Sequence, residues 1–162
     1  MDIEYQQFEE RLARLHEVAD SDRTAFKGRL RFLRDMGVPD KPALGSGKRL
    51  KFAPVDLWDT HVALTLSEFG LPPLRVSMAI KQLRQQASFE KVLKREADQL
   101  WLVVILRSNV GKAQDIDDGN FQVIANICDT KEAHGSLDTC GLLGLPQLLL
   151  INATQLLKGI EG

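Results

Sequence analysis

Cysteine is scarce in this sequence, which limits the kinds of site that the chain can hold. Among 162 residues only Cys128 and Cys140 are cysteines, too few for a disulfide framework. They also lack the CxxC spacing of a zinc site. We therefore expect two thiols without a structural role, no bound metal and no cofactor.

A long apolar run and a basic leader are also lacking. No apolar stretch approaches the roughly 18 residues that a membrane-spanning helix needs. The acidic start, Met1 to Glu4, is unlike the basic and then apolar opening of a secretory signal. The sequence therefore predicts a cytoplasmic protein without a membrane partner.

The remaining composition is that of a globular protein. Hydrophobic residues make up 44% of the chain and charged residues 27%, which is typical of neither a disordered chain nor a membrane protein. The length of 162 residues allows one large domain or two small ones with a buried core.

Charge is distributed unevenly along the chain. Residues 23–51 carry nine basic and two acidic side chains, a local charge of +7 that leaves −8 elsewhere, although the whole chain has a net charge of −1. A polyanionic partner responds to the local field rather than to the sum. This segment is therefore the first candidate for a binding surface.

Two helices joined by a short turn are predicted at the start of the chain. Leu12 and Leu15 recur at helical spacing, which predicts a first helix ending near Asp20. Ser21 is then in place to cap a second helix. That helix would end at the Gly37-Val38-Pro39 break.

The second helix has an apolar side and a basic side. Its apolar residues gather on one side as a helix core would: Phe26, Leu30, Leu33 and Met36. Its basic residues fall within an arc of roughly 80° elsewhere: Arg23, Lys27, Arg31 and Arg34. A basic stripe suits the major groove, because Arg and Lys read guanine edges and neutralise phosphates.

A solvated helix face is the alternative interpretation of that stripe. Ordinary exposed helices tend to alternate charge signs, whereas no acidic residue lies between Arg23 and Arg34. We therefore predict that the four basic residues contact DNA, together with Thr24 beside Arg23.

A β-hairpin wing is predicted after the second helix. Gly45-Ser46-Gly47 supplies a tight turn, and residues 50–52 alternate as a half-buried strand does. The basic residues of this segment would face a phosphate backbone: Lys48, Arg49 and Lys51. The letters GxGK do not match the GxxxxGK[ST] pattern of a nucleotide-binding P-loop.

Two further helices are predicted after the wing. Pro54 suits the first position of one helix that Gly70 ends, and Pro72-Pro73 opens another running to about Gln86. His61 lies inside the first of them. Since no second metal-ligating residue stands at a matching spacing, we expect an imidazole at the core edge or surface.

Three sequence passages in the first half of the chain correspond to a basic helix, a wing and a further helix, in that order. They are RTAFKGRLRFL with Gly37 after it, GSGKRLKF, and the stretch from VDL to EFGL. This order of basic helix, wing ending in an aromatic residue, and helix ending in a Gly-Leu turn resembles the DNA-binding domain of the mercury-resistance-regulator (MerR) family.

The resemblance covers about residues 12–85 and implies a bacterial winged helix-turn-helix protein. It places Arg23, Lys27 and Arg31 in groove-facing positions and the wing on flanking phosphates. Nothing after Leu83 sustains the heptads of the family's dimerisation helix, and its metal-sensing cysteines are absent. Metal sensing and DNA-distorting activation are therefore not implied, and a prophage regulator or DNA-packaging component fits equally well.

The second half of the chain predicts a small α/β module of about three strands. A helix over residues 89–95 precedes strands over 100–106, 121–127 and 147–151, and Asn152 would cap a last helix through Leu157. We expect an α+β fold overall, with a winged helix-turn-helix domain over residues 1–86 and the module over residues 87–162.

The apolar strands of this module predict a homodimer. Short helices cover such strands poorly, so a second copy of the same surface is an economical cover. The expected interface residues are Trp101, Val103, Ile105, Phe121 and Val123. The alternative is a monomer in which the Cys128 to Pro146 loop shields the sheet.

Catalysis is not predicted. The loop that carries His134 and Cys140 offers no orienting scaffold, and the sequence lacks GxSxG and HExxH. The acidic run over residues 115–118 is shorter than a calcium loop, which favours a turn.

The leading hypothesis is a sequence-specific, DNA-binding transcriptional regulator that acts as a dimer on double-stranded DNA, with the transcription machinery as a further partner. The alternatives are a protein-binding adaptor whose +7 segment meets an acidic surface, a phage DNA-packaging accessory built on the same winged helix, and a small hydrolase using His134 and Cys140.

Overall fold

The computed structural model describes residues 2–41, 50–86, 88–94, 100–108, 121–135 and 147–161. The chain divides into two compact units, one made of Met1–Ile80 with Gln155–Gly162 and the other of Lys81–Thr154. Helices and small antiparallel sheets occur together, which confirms the α+β class. The first unit includes C-terminal residues that the sequence assigned to the module.

Helices dominate the first unit. Its elements in chain order are strand β1 (Ile3–Glu4), helix α1 (Tyr5–Leu15), a 3₁₀ turn (Asp20–Asp22), helix α2 (Arg23–Asp35), strand β2 (Lys51–Phe52), helix α3 (Pro54–Glu68) and the start of helix α4 (Pro73–Gln85). Pro54 and Pro73 begin their helices as the sequence predicts, since proline has a suitable φ and lacks an N–H that the first turn leaves unpaired.

The core of the first unit lies among α1, α2 and α3, which contact one another. Each helix contributes apolar residues at helical spacing. The buried side chains are Phe8 and Leu12 of α1, Phe26, Leu30 and Leu33 of α2, and Leu57, Trp58, Val62 and Leu66 of α3. This burial supplies the main stabilising term for three helices that are too short to persist alone.

The strand predicted at residues 50–52 forms, but its described partner is at the start of the chain. β2 pairs with β1 in antiparallel register, with Ile3 opposite Phe52 and Glu4 opposite Lys51. The Phe52 ring stacks on Phe8 at a centroid distance of 4.1 Å. The glycine turn of the expected wing lies outside the described residues, so the hairpin stays a prediction.

Three helices of the first unit end in the same backbone motif. The N–H groups after α2 bond back to α2 from Gly37 to Arg34 and from Val38 to Leu33, at 2.9 Å each. Corresponding bonds follow α3 at Gly70 and Leu71, and α1 at Glu17 and Val18. This is the Schellman motif, whose left-handed residue is usually glycine.

The start of α2 differs from the expectation. Helix α1 ends at Leu15 rather than near Asp20, because the Schellman motif at Glu17 turns the chain there. The 3₁₀ turn over Asp20–Asp22 then leads into α2, whose N-cap is Asp22 without a side-chain cap bond. The prediction that Ser21 caps the second helix is therefore wrong.

The second unit contains the predicted three-stranded sheet. Its elements are the end of α4, helix α5 (Ser88–Lys94), strand β3 (Leu100–Ser108), strand β4 (Phe121–Asp129), a short helix α6 over residues 130–135, strand β5 (Gln147–Asn152) and the start of helix α7 (Ala153–Glu161). All three strand positions agree with the sequence expectation to within two residues at each end.

The sheet has the order β4-β3-β5, and both pairings are antiparallel. Val103 of the central strand lies opposite Asn126 on one side and Leu150 on the other. The unit is therefore α+β rather than the α/β module expected. Continuous apolar strands are typical of parallel sheets, but here the buried Leu102, Val103 and Val104 of β3 belong to an antiparallel sheet.

Side chains satisfy two backbone N–H groups at the sheet margins. Gln82 Oε1 accepts a 2.8 Å hydrogen bond from the Ala125 N–H on edge strand β4. Thr154 Oγ1 accepts from the Leu100 N–H at 3.0 Å. The bond to Ala125 occupies a position at which another strand could pair with this edge, whereas Leu100 begins the central strand β3. Among the described residues, no helix has the length and apolarity needed to cross a membrane.

Candidate nucleic-acid interface

Helix α2 is held to the first unit by a narrow buried row. Phe26, Leu30 and Leu33 occupy positions i, i+4 and i+7 and are almost completely buried. Most other residues of the helix are exposed. A helix anchored along one edge in this way leaves its opposite side free for a partner.

The outer surface of α2 is lined by four exposed residues: Thr24, Gly28, Arg31 and Asp35. At about 100° per residue, each lies more than about 130° from the centre of the buried row. A Cβ added at Gly28 would meet no atom within 4 Å. The small residue between Thr24 and Arg31 therefore leaves open space beside the guanidinium.

The basic stripe predicted from the sequence is divided in the structure. Arg31 stands on the outer surface, whereas Arg23 and Lys27 lie on the flank that faces α1. Glu9 of α1 meets both of them: its Oε1 lies 3.7 Å from Arg23 Nη1, and its Oε2 lies 3.4 Å from Lys27 Nζ. The neighbouring helix α1 therefore supplies an acidic partner for these two cations.

The carboxylate of Glu9 is deeply placed while its partners reach solvent. The side chain of Glu9 is 8% exposed, that of Arg23 32% and that of Lys27 56%. Arg23 also has a distant pairing with the fully exposed Asp20, at 3.9 Å, a geometry that contributes little in water. Glu9 is therefore the main electrostatic partner of this flank.

The other predicted contact residues differ in their exposure to solvent. Arg34 is half-buried in the last turn of α2, and Lys51 is exposed on β2. Lys48 and Arg49 lie outside the described residues, so their positions stay predictions.

A third cation of the +7 segment, Lys41, also has an acidic partner. Lys41 Nζ lies 2.7 Å from Asp56 Oδ2, and Asp56 Oδ2 also accepts a 2.7 Å hydrogen bond from the Ala53 N–H at the start of α3. A buried acid at a helix N-terminus compensates the unpaired backbone donors there. Lys41 and Glu9 together show that the free positive charge is smaller than the sequence count.

A buried histidine pair joins α1 to α3. His61 Nδ1 lies 2.9 Å from His16 Nε2, and His16 Nδ1 lies 2.8 Å from Glu68 Oε1. The carboxylate accepts, so a neutral His16 carries its proton on Nδ1 and accepts the His61 N–H at Nε2. Burial, and secondarily the neighbouring His16, lowers the pKa of His61 to about 4.

The expected dimer surface is partly covered within one chain. Val103 is 4% exposed and packs with Cys128 and Ala133, so it has almost no surface to offer a partner. Trp101 packs against this cluster, and its Nε1–H donates to Thr130 Oγ1 at 3.2 Å. The side chains of Ile105, Phe121 and Val123 lie outside the described residues.

The described residues of the suggested hydrolytic loop do not form a site. Cys128 is a buried thiol whose pKa is raised by burial and, to a smaller extent, by Glu132 and Asp129. His134 is exposed, and Cys140 lies outside the described residues. Within the described ranges, no cluster of three His, Cys, Asp or Glu side chains could hold a metal ion.

No protein-family model matches the chain, and no curated protein matches it.

Two residues of the site, Glu9 and His16, were not predicted from the sequence. Glu9 precedes its partner Lys27 by 18 residues, and His16 precedes His61 by 45, so neither pair has a local spacing. The only available signal for Glu9 was its position next to Phe8 on the apolar side of an amphipathic helix, where a carboxylate needs a partner.

Proposed function

We propose that this chain binds double-stranded DNA in a sequence-specific manner, with α2 in the major groove, and regulates transcription. The observation that carries the proposal is the division of α2 into two faces. Phe26, Leu30 and Leu33 anchor the buried face. The opposite face presents Thr24, Gly28 and Arg31, with Asp35 in the last turn. The winged helix-turn-helix pattern in the sequence supports the same function.

The outer residues of α2 have the chemistry of base recognition. The Arg31 guanidinium can donate two hydrogen bonds to guanine O6 and N7, and a threonine hydroxyl or methyl can meet a neighbouring base. Phe32, which is 50% exposed beside Arg31, offers an apolar contact for a thymine methyl group. Arg31 is therefore assigned the main reading role.

Other cations hold the helix in register on the backbone. Lys51 on β2 and Arg29 on α2 are exposed and can neutralise phosphates without reading sequence. Lys48 and Arg49 extend this set in the proposal. A homodimer formed through the second unit would place two such readers on two half-sites.

The test is a comparison of two arginine variants on two duplexes. A duplex selected from a random pool and a scrambled duplex of equal length are titrated with the wild type, Arg31→Ala and Arg14→Ala. Arg14 is an exposed cation of α1, so its loss changes the net charge equally. Arg31→Ala should weaken binding to the selected duplex about tenfold and to the scrambled duplex much less.

The opposite pattern would reject the reading role. If Arg31→Ala and Arg14→Ala weaken both duplexes to the same extent, α2 contributes only general charge. Light scattering on the same samples tests the dimer: a mass near the 18.1 kDa of one chain, rather than about twice that value, removes this part of the proposal.

A protein-binding adaptor is the second candidate, and a specific observation favours it. A groove of about 460 Å³ is lined by Arg29 and Phe32 of α2 with Leu64, Leu71 and Pro73. Phe32 and Pro73 are exposed at this groove, and an exposed apolar patch is typical of a protein contact. Absence of any shift with random duplex DNA at low salt would favour the adaptor over the DNA-binding protein.

A further inference from the structure

We propose that Glu9 is a specificity-determining residue that restrains Arg23 and Lys27 from indiscriminate contact with phosphates. This inference rests on the proposed DNA binding. Its basis is the position of one nearly buried carboxylate under two solvent-reaching cations at the flank of the reading helix.

The geometry divides the carboxylate between the two cations. Oε1 faces Arg23 at 3.7 Å and Oε2 faces Lys27 at 3.4 Å, so each oxygen serves a different side chain. Both distances exceed the usual 2.7–3.2 Å range of an N–H···O hydrogen bond. The pairs are therefore charge–charge attractions rather than hydrogen bonds. Phosphate oxygens can still compete with Glu9 for the Arg23 guanidinium and the Lys27 ammonium group.

A purely structural role is a poor explanation for an acid at this position. Removing a carboxylate from water is costly, and well-packed apolar residues of similar volume can often replace a buried ion pair without loss of stability. Glu9 neighbours the buried Phe8 and Leu12 on α1, where an apolar side chain would pack. The charge itself is the property that Arg23 and Lys27 respond to.

The expected effect on binding follows from charge and from side-chain freedom. Two cations over one carboxylate leave +1 on this flank instead of +2, which lowers the attraction to any duplex. The attraction to Glu9 also makes it less favourable for Arg23 and Lys27 to reach phosphates in registers that Arg31 does not hold. Released cations can reach phosphates in many registers, which favours nonspecific complexes most.

The experiment compares Glu9→Gln with Glu10→Gln. Glu10 is the next residue of α1; it is exposed and accepts a 3.1 Å hydrogen bond from Gln6 Nε2. Both variants therefore lose one negative charge. Binding of the selected and scrambled duplexes is measured over a series of salt concentrations. Circular dichroism of each variant checks that α1 and α2 are retained.

Glu9→Gln should raise affinity for the scrambled duplex about fivefold and steepen its log–log salt dependence by about one unit, because about one more phosphate is neutralised. Affinity for the selected duplex should rise less than twofold, so that the specificity ratio falls. Glu10→Gln should change either affinity less than twofold. Equal effects of the two variants, or an equal rise on both duplexes, would overturn the inference.

A second comparison tests the same inference without Glu9→Gln, in case that variant does not fold. Lys27→Gln in the wild-type background should reduce the salt slope on scrambled DNA less than Lys51→Gln does, because Glu9 already offsets the Lys27 charge. An equal loss at both positions would contradict the restraint. If the wild type binds neither duplex, the DNA-binding proposal fails together with the inference. If Arg31→Ala weakens binding to the selected duplex but Glu9→Gln and Glu10→Gln have equal affinities, only the inference is rejected.

Discussion

Glu17 occupies a backbone position at which the other two helix ends carry glycine. Its φ is +49°, compared with +81° at Gly37 and +82° at Gly70. All three residues donate the same bond of the Schellman motif. A side chain with a Cβ is disfavoured in the left-handed region, whereas glycine is not.

Glu17→Gly should therefore stabilise the first unit by about 0.5–1 kcal/mol, even though glycine gains entropy in the unfolded chain. Urea denaturation followed by circular dichroism measures the change. Glu10→Gly is the matched control, since the same substitution inside α1 should cost about 1 kcal/mol. A lower midpoint for Glu17→Gly than for the wild type would contradict the expectation.

The buried histidine pair should make the first unit sensitive to mild acid. The pKa of His61 is about 4 in the folded protein, from an ordinary 6.5. The unfolded chain therefore binds more protons between these values, and stability falls as the pH decreases from 6.5 to 4. The full difference corresponds to about 3 kcal/mol, at 1.36 kcal/mol per pKa unit.

His61→Gln should be less sensitive to pH over this range, because the glutamine amide can still donate to His16 but does not titrate. The free energy of unfolding at pH 7 and pH 4.5 is the measurement, with His134→Gln as control because His134 is exposed. If His61→Gln loses as much stability on acidification as the wild type and His134→Gln do, the pair is not the sensor.

At the scale of elements, α2 combines two faces with different tasks. The buried face fixes the helix, and the outer face stays open because Thr24, Gly28 and Arg31 do not pack. Neighbouring helices decide how much of the positive charge is available, since Glu9 of α1 and Asp56 of α3 each draw cations of the +7 segment. Secondary structure alone does not give this distribution.

Substitutions on the two faces of α2 should have different effects on stability and on DNA binding. Leu30→Ala should destabilise the first unit by about 2–5 kcal/mol, since it opens a cavity in the core. Thr24→Ala should leave stability within about 0.5 kcal/mol of the wild type and still weaken binding to the selected duplex. Denaturation and duplex titration of both variants provide the check, and a large stability loss for Thr24→Ala would mean that the outer face is packed.

At the scale of the whole molecule, the first unit draws on both ends of the chain. Residues from Gln155 onward belong to it, and Ile160 lines a pocket with Arg14, Leu15 and Leu57. Leu157 and Ile160 are buried. A fragment of residues 1–86 therefore lacks part of the core of the domain that the sequence assigned to it.

Ile160→Ala should lower the thermal midpoint of the first unit, because truncation of a buried isoleucine typically costs about 2–5 kcal/mol. Leu74→Ala is the control, since Leu74 is one of the exposed large hydrophobic residues and its truncation should have little effect. Near-identical melting curves for the two variants would show that α7 adds nothing to this unit.

The sequence by itself determined what depends on neighbours along the chain. Spacing of four residues placed the apolar row of α2, Pro54 and Gly70 bounded α3, and apolar runs located the three strands. These features follow from backbone geometry and local periodicity, which act over a few residues. The outer position of Arg31 was accessible in the same way, from its angle to Phe26, Leu30 and Leu33.

The tertiary structure decided which groups meet across longer separations. Glu9 reaches Lys27, Lys41 reaches Asp56, and His16 reaches His61 only after the helices pack. The antiparallel sense of the sheet is likewise a property of the assembled strands, since an apolar run reads the same in either direction. The composition gives the number of charges, but the three-dimensional contacts of the fold determine which partner screens each of them.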